Sequence, residues 1–235
     1  MPAAKLAAAL AAVNWAQNVQ NFLGDQVAAE GIAKANMRVA VWSRQFENSD
    51  KGNPALCFVR EMQVAGTHVA ALVALALYKP AAASMRAMLE TGLYYTYFRT
   101  HPSELASLVR NADYFIDKRE LLDYHKRHTA EFTALQAKLG LLSRLDKWYS
   151  EISAVVHGQV PGAWVEQHTL AKTSNIVATQ KLVVEKFIDG TDILHRLFLC
   201  TAGKALWDTF STEAKRELLR GLPGDAKAEL ALDIA

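Results

Sequence analysis

The chain has 235 residues, room for one large domain or two small ones, and 51% of them are apolar, which excludes a disordered chain. With 26 Lys and Arg against 24 Asp and Glu, the formal charge of +2 excludes the domain-wide basic field that announces a nucleic-acid partner. Gly and Pro are scarce, at 12 and 6, so the composition favours helix.

The first 157 residues contain no strand alternation. Residues 3 to 47 carry apolar side chains at three-to-four spacing (Leu6, Leu10, Val13, Ala16), with Gly24 and Gly31 as joints or bends. Lys5 followed by an apolar run faintly resembles a signal peptide, but the run continues into Asn14-Trp15-Ala16-Gln17-Asn18 with helical spacing and no cleavage site. The stretch Asn48 to Asn53 is the clearest loop, and Pro54 suits the first turn of a helix running to about Tyr78. Its apolar run between Glu61 and Lys79 falls short of the ~20 residues that span a bilayer, so it predicts a buried core helix and no membrane partner. Pro80 opens the next helix, which ends near Thr100 before His101-Pro102.

Ser103 and Glu104 start a short helix that breaks around Asn111, followed by a charged helix over about 117 to 139 that ends at Gly140. A helix over about 141 to 157, an irregular connection over 158 to 172 and a long amphipathic helix over about 173 to 201 come next. Ser211-Thr212-Glu213 opens another, closed by Gly221 and Pro223, and a weak terminal helix starts from Gly224. No repeat of 20 to 50 residues is present. The expected architecture is all-α, a bundle of long antiparallel helices. Residues 1–53 form an N-terminal helical arm or the bundle's first helices and 54–235 the bundle, unless 1–235 is one continuous domain. Cys57 and Cys200, each inside an apolar helical pattern, read as buried small hydrophobes in a reducing, cytoplasmic setting.

Two segments carry candidate chemistry. In Trp148 to Gly158, the side chains Ser150, Ser153 and His157 share one helix face, and Gly158 with Pro161 stops the helix at the histidine. The final carbonyls of a helix favour a protonated imidazole, so His157 either caps those carbonyls or serves a site. In Tyr78 to Tyr95, Arg86 and Glu90 stand at i and i+4 among Met85, Met88, Leu89 and Leu93. A largely buried pair of this kind needs further partners, and it either fixes helix register or functions.

An apolar helix reading Ser-x-Arg-x-x-x-Glu (Ser84, Arg86, Glu90) and a later one reading Tyr-x-x-x-Ser-x-x-x-His-Gly (Tyr149, Ser153, His157, Gly158) resemble HEPN-type helical bundles, over about residues 60 to 200. That superfamily is common in bacterial toxin, antiphage and RNA-processing systems. The resemblance implies an RNA-directed protein that binds RNA and, in active members, cleaves it without metal through attack of a 2′-hydroxyl on the adjacent phosphate. His157 would then move protons, with Arg86 stabilising charge, Glu90 orienting Arg86 and Ser153 beside the scissile phosphate. The family's Arg-x(4–6)-His arginine is missing here, since Ser150, Glu151 and Ile152 occupy those places. An inactive, binding-only member therefore stays open.

Lys118, Arg119, Lys126 and Arg127 gather on the charged helix with His125 and His128, and offer a phosphate-tracking strip that Arg99, His101 and Arg110 would extend. Interleaved Glu120, Asp123 and Glu131 equally fit a solvated face. No di-iron or zinc spacing is complete, no glycine-rich phosphate loop or Gly-x-Ser-x-Gly elbow occurs, and no cofactor is implied. His68, in an apolar helix, reads as a hydrogen-bonded core histidine. The aromatic cluster Tyr94, Tyr95, Tyr97 and Phe98 reads as core packing, and with Trp148 and Tyr149 it offers an apolar homodimer seam. Two functions follow as expectations: RNA binding and cleavage in defence or toxin biology, or a non-enzymatic adaptor or regulatory subunit working with a partner encoded nearby.

Overall fold

A computed structural model describes residues 1–165, 168–230 and 232, with no strand among them. The helices are α1 (Pro2–Ala11), α2 (Trp15–Gly24), α3 (Gln26–Ser49), α4 (Leu56–Ala74), α5 (Tyr78–Phe98), α6 (Pro102–Arg110), α7 (Lys118–His128), α8 (Phe132–Leu139), α9 (Leu141–Val156), α10 (Val177–Thr201), α11 (Gly203–Trp207), α12 (Thr212–Leu219) and α13 (Gly224–Leu230). The protein is an all-α helical bundle. No helix of the described residues is long and apolar enough to cross a membrane.

Local chemistry sets several of the starts. Asn14 caps α2 by accepting from the Gln17 amide at 3.0 Å, and Asp25 caps α3 by accepting from Ala28 at 3.1 Å. Asp117 and Glu120 form a reciprocal capping box at the start of α7. Ser211 caps α12 through the Ala214 amide. Gly140, at φ +62°, ends α8 and admits α9, while Gly158, at φ +69°, follows the cap residue His157 of α9.

The long helices α3, α4, α5, α9 and α10 enclose one hydrophobic core. Helix α5 is its centre, packing on α4, α9 and α10 and receiving α6 and α7 at its C-terminal half. Met85, Met88, Leu89 and Phe98 are fully enclosed there. Close helix approach depends on missing side chains: a Cβ on Gly190 of α10 would sit 2.6 Å from the Trp148 ring of α9. The same indole donates to the Lys186 carbonyl at 2.7 Å, so one residue pins α9 to α10. Helix α3 lies against α4 and α10 and its core residues join the common core, whereas α1 buries none of its residues.

Several boundaries and environments differ from the sequence reading. The region expected as one helix over about 117 to 139 breaks at Glu131, whose φ of +59° takes the left-handed conformation and separates α7 from α8. Helix α4 stops at Ala74 rather than near Tyr78, because Ala76 turns left-handed at φ +58° and α5 begins at Tyr78, which leaves Pro80 inside its first turn. Gly31 is no joint: it lies within α3 against Ile188 of α10. Cys57 is exposed, and so is His68, which therefore is not a core histidine.

The buried histidines are His125 and His195. Thr96 gives its hydroxyl proton to the Leu93 carbonyl, so its oxygen accepts from Nε2 of His125, while Thr129 serves Nδ1 at 2.8 Å. His195 accepts the Trp42 indole proton on Nδ1 at 3.0 Å, joining α10 to α3. Burial pushes both imidazoles below their ordinary range, His125 to about 4 and His195 to about 3.

Candidate functional site

Arg86 and His157, 71 positions apart in the chain, meet where α9 ends against α5. Four side chains converge. Nε of Arg86 donates to Oε1 of Glu90 at 2.9 Å, Nη2 donates to the Tyr149 hydroxyl at 2.9 Å, and Nη1 lies 2.6 Å from Nε2 of His157. The Tyr149 hydroxyl in turn donates to Oε1 of Glu90 at 2.5 Å. The helical spacing of Arg86 and Glu90 sets their contact, and the two-turn interval from Tyr149 to His157 lets α9 present both to the guanidinium.

The proton positions follow from the donor inventory. A guanidinium only donates, so Nε2 of His157 accepts and the imidazole in this arrangement is neutral, with its proton on Nδ1. His157 is exposed to solvent, whereas the Arg86 side chain retains only 24% of its surface. Burial opposes the charge on Arg86, yet the bond and attraction to Glu90 outweigh it and raise its pKa. Burial, followed by the Glu90 hydrogen bond, pushes the Tyr149 phenol up to about 12, so it stays a neutral donor.

Further cations stand nearby. The Lys118 ammonium sits 4.9 Å from the Tyr149 ring centroid and also pairs with Asp146. The Lys79 ammonium lies 3.7 Å from where a side chain on Gly158 would begin. Arg86, Glu90, Lys118 and Tyr149 line an open cavity of about 270 Å³ beside the cluster.

Of the sequence-derived candidates, Arg86, Glu90 and His157 come together here. His157 does not cap the α9 carbonyls with its side chain, since its ring is turned to Arg86. Ser153 is placed differently: its Oγ is enclosed and has no hydrogen-bond partner, so it is not presented to the groove. Ser150 is exposed. The basic strip divides as well. Lys118 joins the cluster, whereas Arg119 and Lys126 share Asp123 at 3.9 Å and 2.8 Å, and Arg127 projects to solvent farther along α7. Arg99 does not extend the strip, because Asp50 holds it through two bonds of 2.9 Å and 3.0 Å.

Tyr149 is the member that sequence reasoning assigned elsewhere, to an apolar seam. Its place in Tyr-x-x-x-Ser-x-x-x-His, on the histidine's own helix, was the available signal. Among the described residues, no three His, Cys, Asp or Glu side chains are grouped to hold a metal ion. Comparison with protein-family models, with curated proteins and with solved structures gives no match to the chain.

Proposed function

We propose that the protein is an HEPN-like, RNA-directed homodimer of a bacterial defence or toxin system, and that it binds and cleaves RNA at Arg86 and His157 without a metal. The observation that carries this is the 2.6 Å contact between an exposed histidine and a part-buried arginine held from two sides. The family's motif draws its arginine from the histidine's own helix, and here α5 supplies one from across the groove. A phosphodiester entering between them takes over the Nη1 donor and releases Nε2. The free nitrogen can then accept the proton of a 2′-hydroxyl, and protonated His157 can return one to the departing 5′-oxygen. In that step the P–O2′ bond forms and the P–O5′ bond breaks, leaving a 2′,3′-cyclic phosphate and a 5′-hydroxyl. Arg86 offsets the added charge on the phosphoryl oxygens.

The competing reading is the non-enzymatic adaptor, and one observation favours it: Arg86 is already engaged by Glu90, Tyr149 and His157, as a register-setting network would be. Incubation of end-labelled RNA with the purified chain in EDTA decides between them. Cleavage with cyclic-phosphate ends, reduced at least 100-fold in His157→Ala, is the expected result. Because His157 is exposed, this variant is expected to keep the wild-type melting temperature. Intact RNA with the wild-type chain gives the site to the adaptor reading.

A further inference from the structure

We propose that the cavity of about 270 Å³ beside Arg86 is a base site, which selects guanine in the nucleotide next to the scissile phosphate. The inference deepens the RNA-directed reading and rests on it. Arg86 borders the cavity and also contacts His157, so a phosphate held there leaves an adjoining base at the cavity mouth. The volume falls below the roughly 300 Å³ at which drug-sized pockets begin, and so suits a single flat ring system. The walls are fixed: Leu93 and Leu121 are enclosed, Ile116 is buried, and Tyr94 is held against the rings of Phe58 and Phe98.

The polar lining sets the choice of base. Oε1 of Glu90 accepts from both Arg86 and Tyr149, and among the described residues Oε2 has no hydrogen-bond partner. The Glu90 side chain keeps 35% of its surface, so that second oxygen can be reached. A carboxylate accepts and does not donate. Guanine presents two adjacent donors to it, N1–H and the 2-amino group, with O6 beside them. Adenine and cytosine place a ring-nitrogen lone pair next to their amino group, and uracil flanks its single N–H with two carbonyls. Each of these three therefore sets a lone pair against Glu90. Lys118 lines the same cavity and supplies the donor that O6 requires, with two N–H groups beyond the one that Asp146 takes. Asp117, also on the wall, is occupied in capping α7. Reading a base on its Watson–Crick edge in this way requires an unpaired strand.

Calorimetric titration of the full chain with guanosine 3′,5′-bisphosphate, and with its adenosine, cytidine and uridine counterparts, tests the site without requiring turnover. Each ligand carries a phosphate on both sides of its sugar, so it reports the base on whichever side of the cut that base lies. The guanosine ligand is expected to bind at least tenfold more tightly than the other three, the scale of one charge-assisted hydrogen bond. Glu90→Gln is expected to abolish that preference while still binding the adenosine ligand. Lys118→Gln, outside the Arg86 hydrogen bonds, is expected to reduce it at least threefold. Equal binding of the four, binding of none, or a guanine preference intact in a folded variant of either residue would each overturn the assignment. The base site and the nuclease fail separately. RNA cut without regard to base, with the four ligands bound alike, removes the site and leaves the nuclease. A guanosine preference in a chain that leaves RNA intact keeps the site and removes the nuclease.

Discussion

The Tyr149 hydroxyl accepts a hydrogen bond from Arg86 and donates one to Glu90, so a single oxygen ties α9 to both members of an α5 ion pair. Removing Arg86 leaves Glu90 and Tyr149 facing each other without the cation. Arg86→Ala is expected to lower stability by roughly 1–2 kcal/mol in urea unfolding, less than a fully enclosed pair loses, because the Glu90 side chain keeps 35% of its surface. Ser153 should behave in the opposite way. Its enclosed, unpartnered hydroxyl costs stability, so Ser153→Ala is expected to raise the melting free energy by about 1 kcal/mol and to leave RNA cleavage unchanged. A loss of stability in that variant would mean that the hydroxyl is satisfied after all. The Arg86–Glu90 contact was legible in the sequence because one helix sets it. Its meeting with His157 was expected from the family resemblance alone, because where α9 crosses α5 is encoded by no local spacing.

At the scale of elements, the helix crossings rest on individual small residues. Gly190→Ala would place a methyl group against the Trp148 ring, a rigid neighbour also held through its indole nitrogen, and a loss of about 1–3 kcal/mol in thermal unfolding is expected. The helix order was readable from Pro, Gly and capping residues, and Gly140, Gly158 and Ser211 mark the same ends in sequence and structure. The breaks at Ala76 and Glu131 were hidden, since both put an ordinary residue in the left-handed region and carry no glycine or proline. The histidines were assigned the wrong way round for a related reason. His68 has apolar neighbours in sequence but lies on the outer face of α4, whereas His125 has charged neighbours and points inward to Thr96.

For the whole molecule, those two buried imidazoles make stability depend on acid. In the unfolded chain they bind protons near 6.5, while in the fold they resist until about 4 for His125 and about 3 for His195. Between those limits the unfolded state holds more protons, so stability is fully present above 6.5 and falls as the pH drops below it. The expected loss between pH 7 and pH 5 is on the order of 2 kcal/mol for each histidine, read from urea midpoints. Asp50 and Asp192, held below their usual range although burial works against their charge, extend the loss below about 4 as arginine partners lose their carboxylates. His125→Gln and His195→Gln, measured separately, should each flatten the curve between pH 7 and pH 5. An unchanged slope in both would show that other groups carry the dependence.

The bond from the Trp42 indole to Nδ1 of His195 also determines when acid can act. While the indole occupies that nitrogen it resists protonation down to about 3, so between pH 7 and pH 5 the native molecule takes up no proton there. Protons instead capture chains that have already opened. Where the indole contact is already made in the transition state, acid slows refolding and leaves the unfolding rate nearly level from pH 7 to pH 5; a contact made later shows instead as faster unfolding in acid.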